Sequence, residues 1–413
     1  MTHRLPHRLA VAWLQAGAVA QLLGVLDRDG EEARVVGGAV RNALLGEEAG
    51  DVDIATTAMP VDVIARVEAA GFKAVPTGIE HGTVTVVIDG RPFEVTTLRQ
   101  DVETYGRKAK VAFGRDWRAD AERRDFTMNA LSVAPDGTIH DYVDGFADIE
   151  ARRVRFIGDP RQRIAEDYLR ILRFFRFHAA YGRGVPDATG LHACVLARAG
   201  LDALSRERVR VEILKLLLAP GAAPTVEVMA DSGLLTRVLG GVPLLAGFDR
   251  LLQIEAAIGA AADALRRLGA LAVLVIEDAE RLRQRLRLTN AEHERLQSMA
   301  TRWRGLAPSI GGQAARALLY RLGPERFTDR VLIAWARAGA AADDPAWGEL
   351  ATLPARWVAP TFPLKSADLV QRGVAKGPAL GVALRAAEEA WIDGDFPADP
   401  AALAAIASAA ARR

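Results

Sequence analysis

The sequence predicts an α+β chain, with a small mixed-sheet head over residues 1–150 and an all-α remainder. Two changes along the chain predict it. Short runs of β-rich residues bounded by glycine turns fill the first 145 residues, and from residue 159 onward the apolar residues recur with a helical period of about 3.6. A third observation is the lack of any later return to period two.

Within the head, Arg34-Val35-Val36 reads as a strand, Gly37-Gly38 as a turn, Ala39 to Leu45 as a helix closed by Gly46, and Val52 to Ala55 as a second strand. Val84 to Ile88 and Phe93 to Leu98 are β-rich runs joined by Asp89-Gly90, a two-residue hairpin signal. A further hairpin pairs Leu131-Ser132-Val133 with Ile139 to Val143 across Pro135-Asp136-Gly137. Beyond the head, Asp159-Pro160 reads as an N-cap with a first-turn proline, and Ile164, Tyr168, Ile171, Leu172 and Phe175 continue one helix. Helical segments then run to the end, broken near Ala219-Pro220, Gly240-Gly241, Gly311-Gly312 and Pro354 to Pro363. The expected division is a head over 1–150, a helical neck and body over 151–270 and a helical body and tail over 271–413.

Composition narrows the class. A chain of 413 residues holds two to three domains at roughly 150 residues each. With 50% apolar and 25% charged residues it is neither disordered nor fibrous. Its single cysteine, Cys194, excludes an internal disulfide and a cysteine zinc cluster, so a reducing, cytoplasmic setting is expected. Arg4 and Arg8 precede an apolar stretch around Ala16-Gly17-Ala18 that looks superficially like a secretory leader, but Trp13, Gln15 and Gln21 interrupt it; an amphipathic helix is the expectation. No apolar run reaches the roughly 18 residues a membrane span needs. The net charge of +1 hides two basic runs: residues 152–183 carry nine arginines against three acids, and residues 281–304 carry seven against two. Such runs are either solvated helix faces or contacts for a polyanion.

The chemistry concentrates in the head. Asp51-Val52-Asp53 falls where a strand is expected, and period two places both carboxylates on one face, close enough to share divalent cations. Glu94, on a neighbouring strand, supplies a third. Hard Mg²⁺ suits such oxygens, and two ions can steady an in-line displacement at phosphorus. Upstream, Gly37-Gly38 sits between strand and helix, where absent side chains let phosphates approach free N–H groups and the positive helix end. Arg41, in the first turn, can fork onto a phosphate.

Read in order, four segments resemble the motifs of class II tRNA nucleotidyltransferases and bacterial poly(A) polymerases. They are Val36 to Gly46 with Asp51 to Thr56, Arg123-Arg124-Asp125-Phe126-Thr127-Met128-Asn129-Ala130, Glu166-Asp167-Tyr168-Leu169-Arg170, and Leu204-Ser205-Arg206-Glu207-Arg208. Leu288 to Glu292 and Gly377-Pro378 through Trp391 extend the likeness into the tail. The resemblance implies a polymerase-beta-like head, Mg²⁺ on Asp51 and Asp53 with Glu94 assisting, and phosphate or ribose contacts from Arg124 and Asp125. It further implies that Asp125 accepts a ribose 2′-hydroxyl, that Arg173 and Arg176 line the nucleotide pocket with Gly38 and Arg41, and that Arg99 to Arg118 is the family's mobile loop. Asn42 stands where many relatives have Asp, and His140-Asp141 lies in a head hairpin, so no accessory phosphohydrolase is expected.

The third motif can be argued chemically. Cytosine and adenine each offer an amino donor beside a ring-nitrogen acceptor, whereas uracil and guanine offer the reverse. Asp167 only accepts and Arg170 only donates, and i,i+3 spacing on a helix puts them on one face, where they select CTP and ATP without a template. The alternative is an exposed intrahelical salt bridge. The implied reaction is addition of C, C and A to a tRNA lacking all or part of its 3′ CCA, by a monomer or homodimer. A poly(A) polymerase, a partial CC- or A-adding enzyme and a non-catalytic RNA-binding protein are the rivals.

Overall fold

The computed structural model describes residues 6–105, 108–301 and 303–412. Side chains of 100–111 lie outside that description, as do Arg4, Gly106, Arg302 and Arg413 of the segments named above. The chain forms two compact units, Met1–Val238 and Leu239–Arg413.

Unit one begins with α1 (Ala12–Gln15) and α2 (Ala18–Leu26), joined through Gly17, whose φ of 81° lies where glycine is favoured. The interrupted N-terminal stretch is thus two short helices, and Leu22, Leu23 and Leu26 are wholly buried. Nine strands follow: β1 (Ala33–Val36), β2 (Asp53–Thr56), β3 (Lys73–Gly78), β4 (Thr83–Ile88), β5 (Arg91–Thr97), β6 (Arg99–Tyr105), β7 (Lys108–Phe113), β8 (Ser132–Val133) and β9 (Ile139–His140). Seven make one mixed sheet in the order β3-β4-β5-β2-β1-β8-β9, with β2 and β5 parallel, and β6 pairs only with β7. The Asp89-Gly90 turn joins β4 to β5 as expected, both residues at positive φ. Within Arg99 to Arg118, which the resemblance makes a mobile loop, Arg99–Tyr105 and Lys108–Phe113 pair as the antiparallel strands β6 and β7. β3 was not legible, because it shows no buried alternate face and is held by its pairing with β4. The last hairpin strand ends at His140 rather than Val143.

The helices are set by their ends. α3 (Gly38–Leu45) starts directly after β1 and stops at Gly46, which takes the left-handed conformation at φ 74°. Between strands β2 and β9 lie α4 (Pro60–Ala69) and α5 (Trp117–Glu122), and α6 (Gly145–Glu150) closes the head. The helix expected to run continuously from Pro160 is two: α7 (Pro160–Glu166), capped by Asp159, and α8 (Leu169–Tyr181). Asp167 between them is extended, at φ −155° and ψ 108°, and its carboxylate accepts the Leu169 N–H at 3.1 Å. A side chain that caps the next helix competes with continuation of the last one. α9 (Ala188–Leu196) packs on α7, while α10 (Arg206–Leu218) and α11 (Ala222–Asp231) pack on α8. Phe126, Phe156, Phe174 and Phe177 join head and α8 through ring centroids 4.9 to 6.4 Å apart.

Unit two is helical among its described residues. Thr289 and Glu292 form a capping box at the start of the helix Asn290–Ala300. No described helix is long and apolar enough to cross a membrane. The arginine runs are largely consumed inside the protein. In the first, Arg153 and Arg155 bind the fully buried Asp148, and Arg163 and Arg170 share Glu166. In the second, Arg295 is buried and forks onto Asp329 at 2.6 and 2.9 Å. Local charge counts therefore overstate the cations available to a partner.

Asp329→Ala leaves the buried Arg295 without its fork, and a loss of about 3 kcal/mol is expected, read as a lower urea midpoint. The apolar pair Arg295→Met with Asp329→Leu should recover most of it.

Candidate active site

β1 delivers the backbone to Gly37, whose φ of 75° turns it into α3. A Cβ on Gly37 would lie 3.2 Å from Arg124 Nη1, so the missing side chain is also what lets that arginine approach. α3 presents its first N–H groups here. Arg41, only 6% exposed, is held entirely by neutral partners: Nη1 donates to Asn129 Oδ1 at 2.5 Å, Nη2 to Asn42 Oδ1 at 2.8 Å and to Tyr181 Oη at 2.8 Å. Its guanidinium also lies 3.9 Å from the centre of the Tyr181 ring. Burial draws its pKa below the ordinary value. These partners fix the group yet leave its charge for an anion. Asn42, the departure noted above, thus orients Arg41, and its own Nδ2 is anchored on Glu48 O at 2.9 Å.

Asp53 opens β2 opposite Val36 of β1, while Asp51 sits in a bend ahead of the strand rather than within it. The pairing Ile54–Val95 between parallel β2 and β5, carried back one step, sets Asp53 beside Glu94. Asp53 is open to the pocket, yet surrounding protein raises its pKa first by desolvation and then through the charges of Glu94 and Asp51, with Arg124 opposing. Oxygen-only, mutually repelling carboxylates suit a hard divalent cation. Among the described residues no group of three His, Cys, Asp or Glu side chains forms a metal cage. A pair suffices for an ion that keeps waters and shares substrate phosphates.

α5 ends in the second motif. Buried Asp120 binds Arg123 at 2.6 Å and Arg124 at 3.2 Å. Burial opposes ionisation of Asp120, but these two arginines outweigh it and lower its pKa. Asp125 carries four donors: Arg173 Nε at 2.7 Å and Nη2 at 2.6 Å on Oδ2, with Phe126 N at 2.9 Å and Asn129 Nδ2 at 3.2 Å on Oδ1. Burial would raise its pKa; the charge and hydrogen bond of Arg173 reverse the sign.

The side chains of Asp167 and Arg170 do not bond each other and do not share a helix face, since the chain is extended at Asp167; only the Arg170 N–H donates to the Asp167 carbonyl oxygen, at 3.0 Å. Each is held by another residue. Arg208 of α10 grips Asp167 at 2.6 and 3.3 Å, and Arg170 binds Glu166 and donates to Arg163 O at 2.8 Å. Asp167 and Arg170 nevertheless line one cavity of about 520 Å³. Gly38, Arg41, Asp53, Arg124, Asp125 and Arg173 line it too. Arg176, bonded to buried Glu212, does not, nor does Asp51 or Glu94. Sequence reasoning assigned no role to Arg123, Asn129, Phe177 or Arg208, which also line the cavity. Arg123, Asn129 and Arg208 fall inside quoted motifs, and that position was the available signal. Six arginines and three aspartates line the cavity; five of the arginines are already paired with carboxylates, and Arg41, held by neutral partners, is the cation left to meet an anion.

A glycine cradle, a carboxylate at a strand start and an arginine-lined cavity for a polyanion define a nucleotidyltransferase. Residues 33–155 match the family model "Poly A polymerase head domain", and residues 192–246 match "Probable RNA and SrmB- binding site of polymerase A". The chain is 33% identical over 373 residues to the mitochondrial CCA tRNA nucleotidyltransferase 1 of Mus musculus, covering 88% of this chain and 83% of that one. It is 32% identical over 384 residues to the CCA-adding enzyme of Limosilactobacillus fermentum, covering 92% and 93%. A solved structure of the Bacillus stearothermophilus CCA-adding enzyme in complex with CTP superposes with a TM-score of 0.73 at 30% identity, over 91% of this chain and 92% of that one. The chain belongs to the family of class II CCA-adding enzymes and bacterial poly(A) polymerases.

A carboxyl whose folded pKa is raised destabilises the fold as pH rises through its unfolded value. Asp53→Asn should therefore raise the melting temperature slightly at neutral pH in chelator, while lowering nucleotide incorporation at least roughly a hundredfold. In the unsubstituted protein the acid limb of the pH–rate profile should lie above the ordinary carboxylate range and move down as divalent cation is added.

Proposed function

We propose that this protein adds C, C and A to the 3′ end of tRNA, taking CTP and ATP, releasing pyrophosphate and using Mg²⁺. The observation that carries the reading is the convergence of the glycine cradle with Arg41, the carboxylate Asp53 and the Asp167/Arg170 pair on one cavity. The CCA-adding relatives, similar over nearly their whole length, support it. Held by Asp51 and Asp53 with Glu94 beside them, Mg²⁺ would supply Lewis-acid activation of the 3′-hydroxyl and the α-phosphate.

The chain's own residues do the rest. Gly37, Gly38 and Arg41 hold the triphosphate, and Arg124 neutralises charge on the side facing Gly37. Asp125 receives the ribose 2′-hydroxyl on an oxygen it shares with Asn129. Asp167 accepts the exocyclic amine of cytosine or adenine, and Arg170 donates to the neighbouring ring nitrogen. Uracil and guanine would set like groups against each other and leave them unpaired. Arg173 fixes Asp125, and Arg176 supports Arg173 through Glu212.

Incubation with Mg²⁺, labelled CTP or ATP and tRNA transcripts lacking CCA, CA or A, followed by 3′-end sequencing, should yield completed CCA ends. Long A-tails without C would instead mark a poly(A) polymerase. Asp167→Ala should lower kcat/KM for CTP and ATP by about a hundredfold and narrow their advantage over UTP and GTP; unchanged selectivity would remove Asp167 from base choice.

A further inference from the structure

α8 carries more than the residues that face the base. Two of its aromatic side chains, Phe177 and Tyr181, stand one turn apart with ring centres separated by 5.7 Å. Arg41 lies against both, its guanidinium 5.3 Å from the centre of the Phe177 ring and 3.9 Å from that of Tyr181. Its Nη2 donates to the Tyr181 hydroxyl at 2.8 Å, and a Cβ on Gly38 would lie 3.6 Å from the same nitrogen. Tyr181 thus reaches the glycine cradle through one arginine that stands 140 residues earlier in the chain.

Most of this guanidinium is accounted for. Nε and Nη2 fork onto Asn42 Oδ1, Nη1 donates to Asn129 and Nη2 to Tyr181, so four N–H groups go to neutral oxygens. A guanidinium has one more, here on Nη1. The fork is oriented at its far end, because Asn42 Nδ2 donates to Glu48 O and the amide oxygen must then face Arg41. A carboxylate in place of Asn42 or Tyr181 would hold the arginine and cancel its charge, whereas an amide, a phenol and an aromatic face hold it without doing so. Asp125 and Glu47 act on Arg41 only through space, and Arg176 opposes them. A buried cation kept among neutral partners is costly until an anion reaches it.

We infer that Tyr181 is a positioning residue for the nucleotide's triphosphate: its ring and hydroxyl together hold the Arg41 guanidinium at Gly38 with its charge intact. The inference rests on the nucleotidyl-transfer reading above. α8 carries Arg170 in its first turn and Tyr181 as its last residue, about 16 Å apart along the axis. A change at Tyr181 that acts through Arg41 alone therefore alters phosphate binding and spares base choice, whereas a shift of the whole helix alters both.

Calorimetric titration of the full chain with inorganic triphosphate and Mg²⁺ reads the cradle without a base. Tyr181→Phe, which keeps the ring and loses the acceptor, should weaken binding about fivefold; Tyr181→Leu, which loses both, should weaken it about thirtyfold. Asn42→Asp, which keeps the fork and cancels the charge, should weaken it at least about tenfold. In steady-state assays with a tRNA transcript lacking CCA, KM for CTP and for ATP should rise in the same proportions, with the loss carried by KM rather than kcat and the preference for CTP over UTP changing less than twofold. Unchanged triphosphate affinity in Tyr181→Phe or in Asn42→Asp would overturn the inference, as would a CTP preference that shifts as far as KM does. Tyr181→Phe retains the packed ring, so it decides if Tyr181→Leu fails to fold. An unsubstituted protein that binds inorganic triphosphate but incorporates no nucleotide would overturn the reaction itself, and the titrations would still decide for or against Tyr181.

Discussion

The ion pair between Asp125 and Arg173 is the constraint on which unit one turns. It joins the second motif of the head to the middle of α8, at 2.6 and 2.7 Å, with the carboxylate nearly enclosed and the guanidinium about a third exposed, at 32%. From it a continuous chain of contacts runs both ways. Asp125 orients Asn129, which holds Arg41 in the cradle; Arg173 reaches Glu212 of α10, which binds Arg176. Removing Arg173 strands the enclosed Asp125 carboxylate, so the pair is costly to break from that side even where its net contribution to stability is small. The placement of α3 relative to α8 is thereby held by hydrogen bonds rather than by loop length.

The head and its site were legible where a local signal coincides with a tertiary role. Gly46, Asp159-Pro160 and Asp89-Gly90 act as caps and turns by their own chemistry, and the structure uses them so. β3 escaped because an edge strand with both faces partly open has no apolar period to read. The break at Asp167 escaped for another reason. Ile164 and Tyr168 keep the i,i+4 spacing across it, and an aspartate that caps a new helix has the same letter as one exposed in the middle of an old one.

Electrostatic reading had a similar limit. Counting arginines identified the two basic segments but not the acids that meet them from elsewhere in the chain, such as Asp148 below Arg153 and Arg155, or Asp329 below Arg295. The cavity is different. There the arginines converge on space rather than on carboxylates alone, and Arg41 is bound only by neutral acceptors, so its field is directed outward to a ligand. Folding, not composition, decides which charges are already spent.

On the function proposed above, the grip of Arg208 on Asp167 sets the terms on which a base would be judged. A carboxylate facing bulk water would compare each base with a mobile solvent of nearly constant strength. Asp167 instead has an incumbent, a guanidinium anchored on α10 and bonded at 2.6 Å. Any base that reaches this oxygen enters an exchange with that incumbent, and the affinity recorded for it is the difference between two well-formed bonds. Selectivity in such an exchange is tuned from outside the pocket, by whatever alters the hold of α10 on its own arginine.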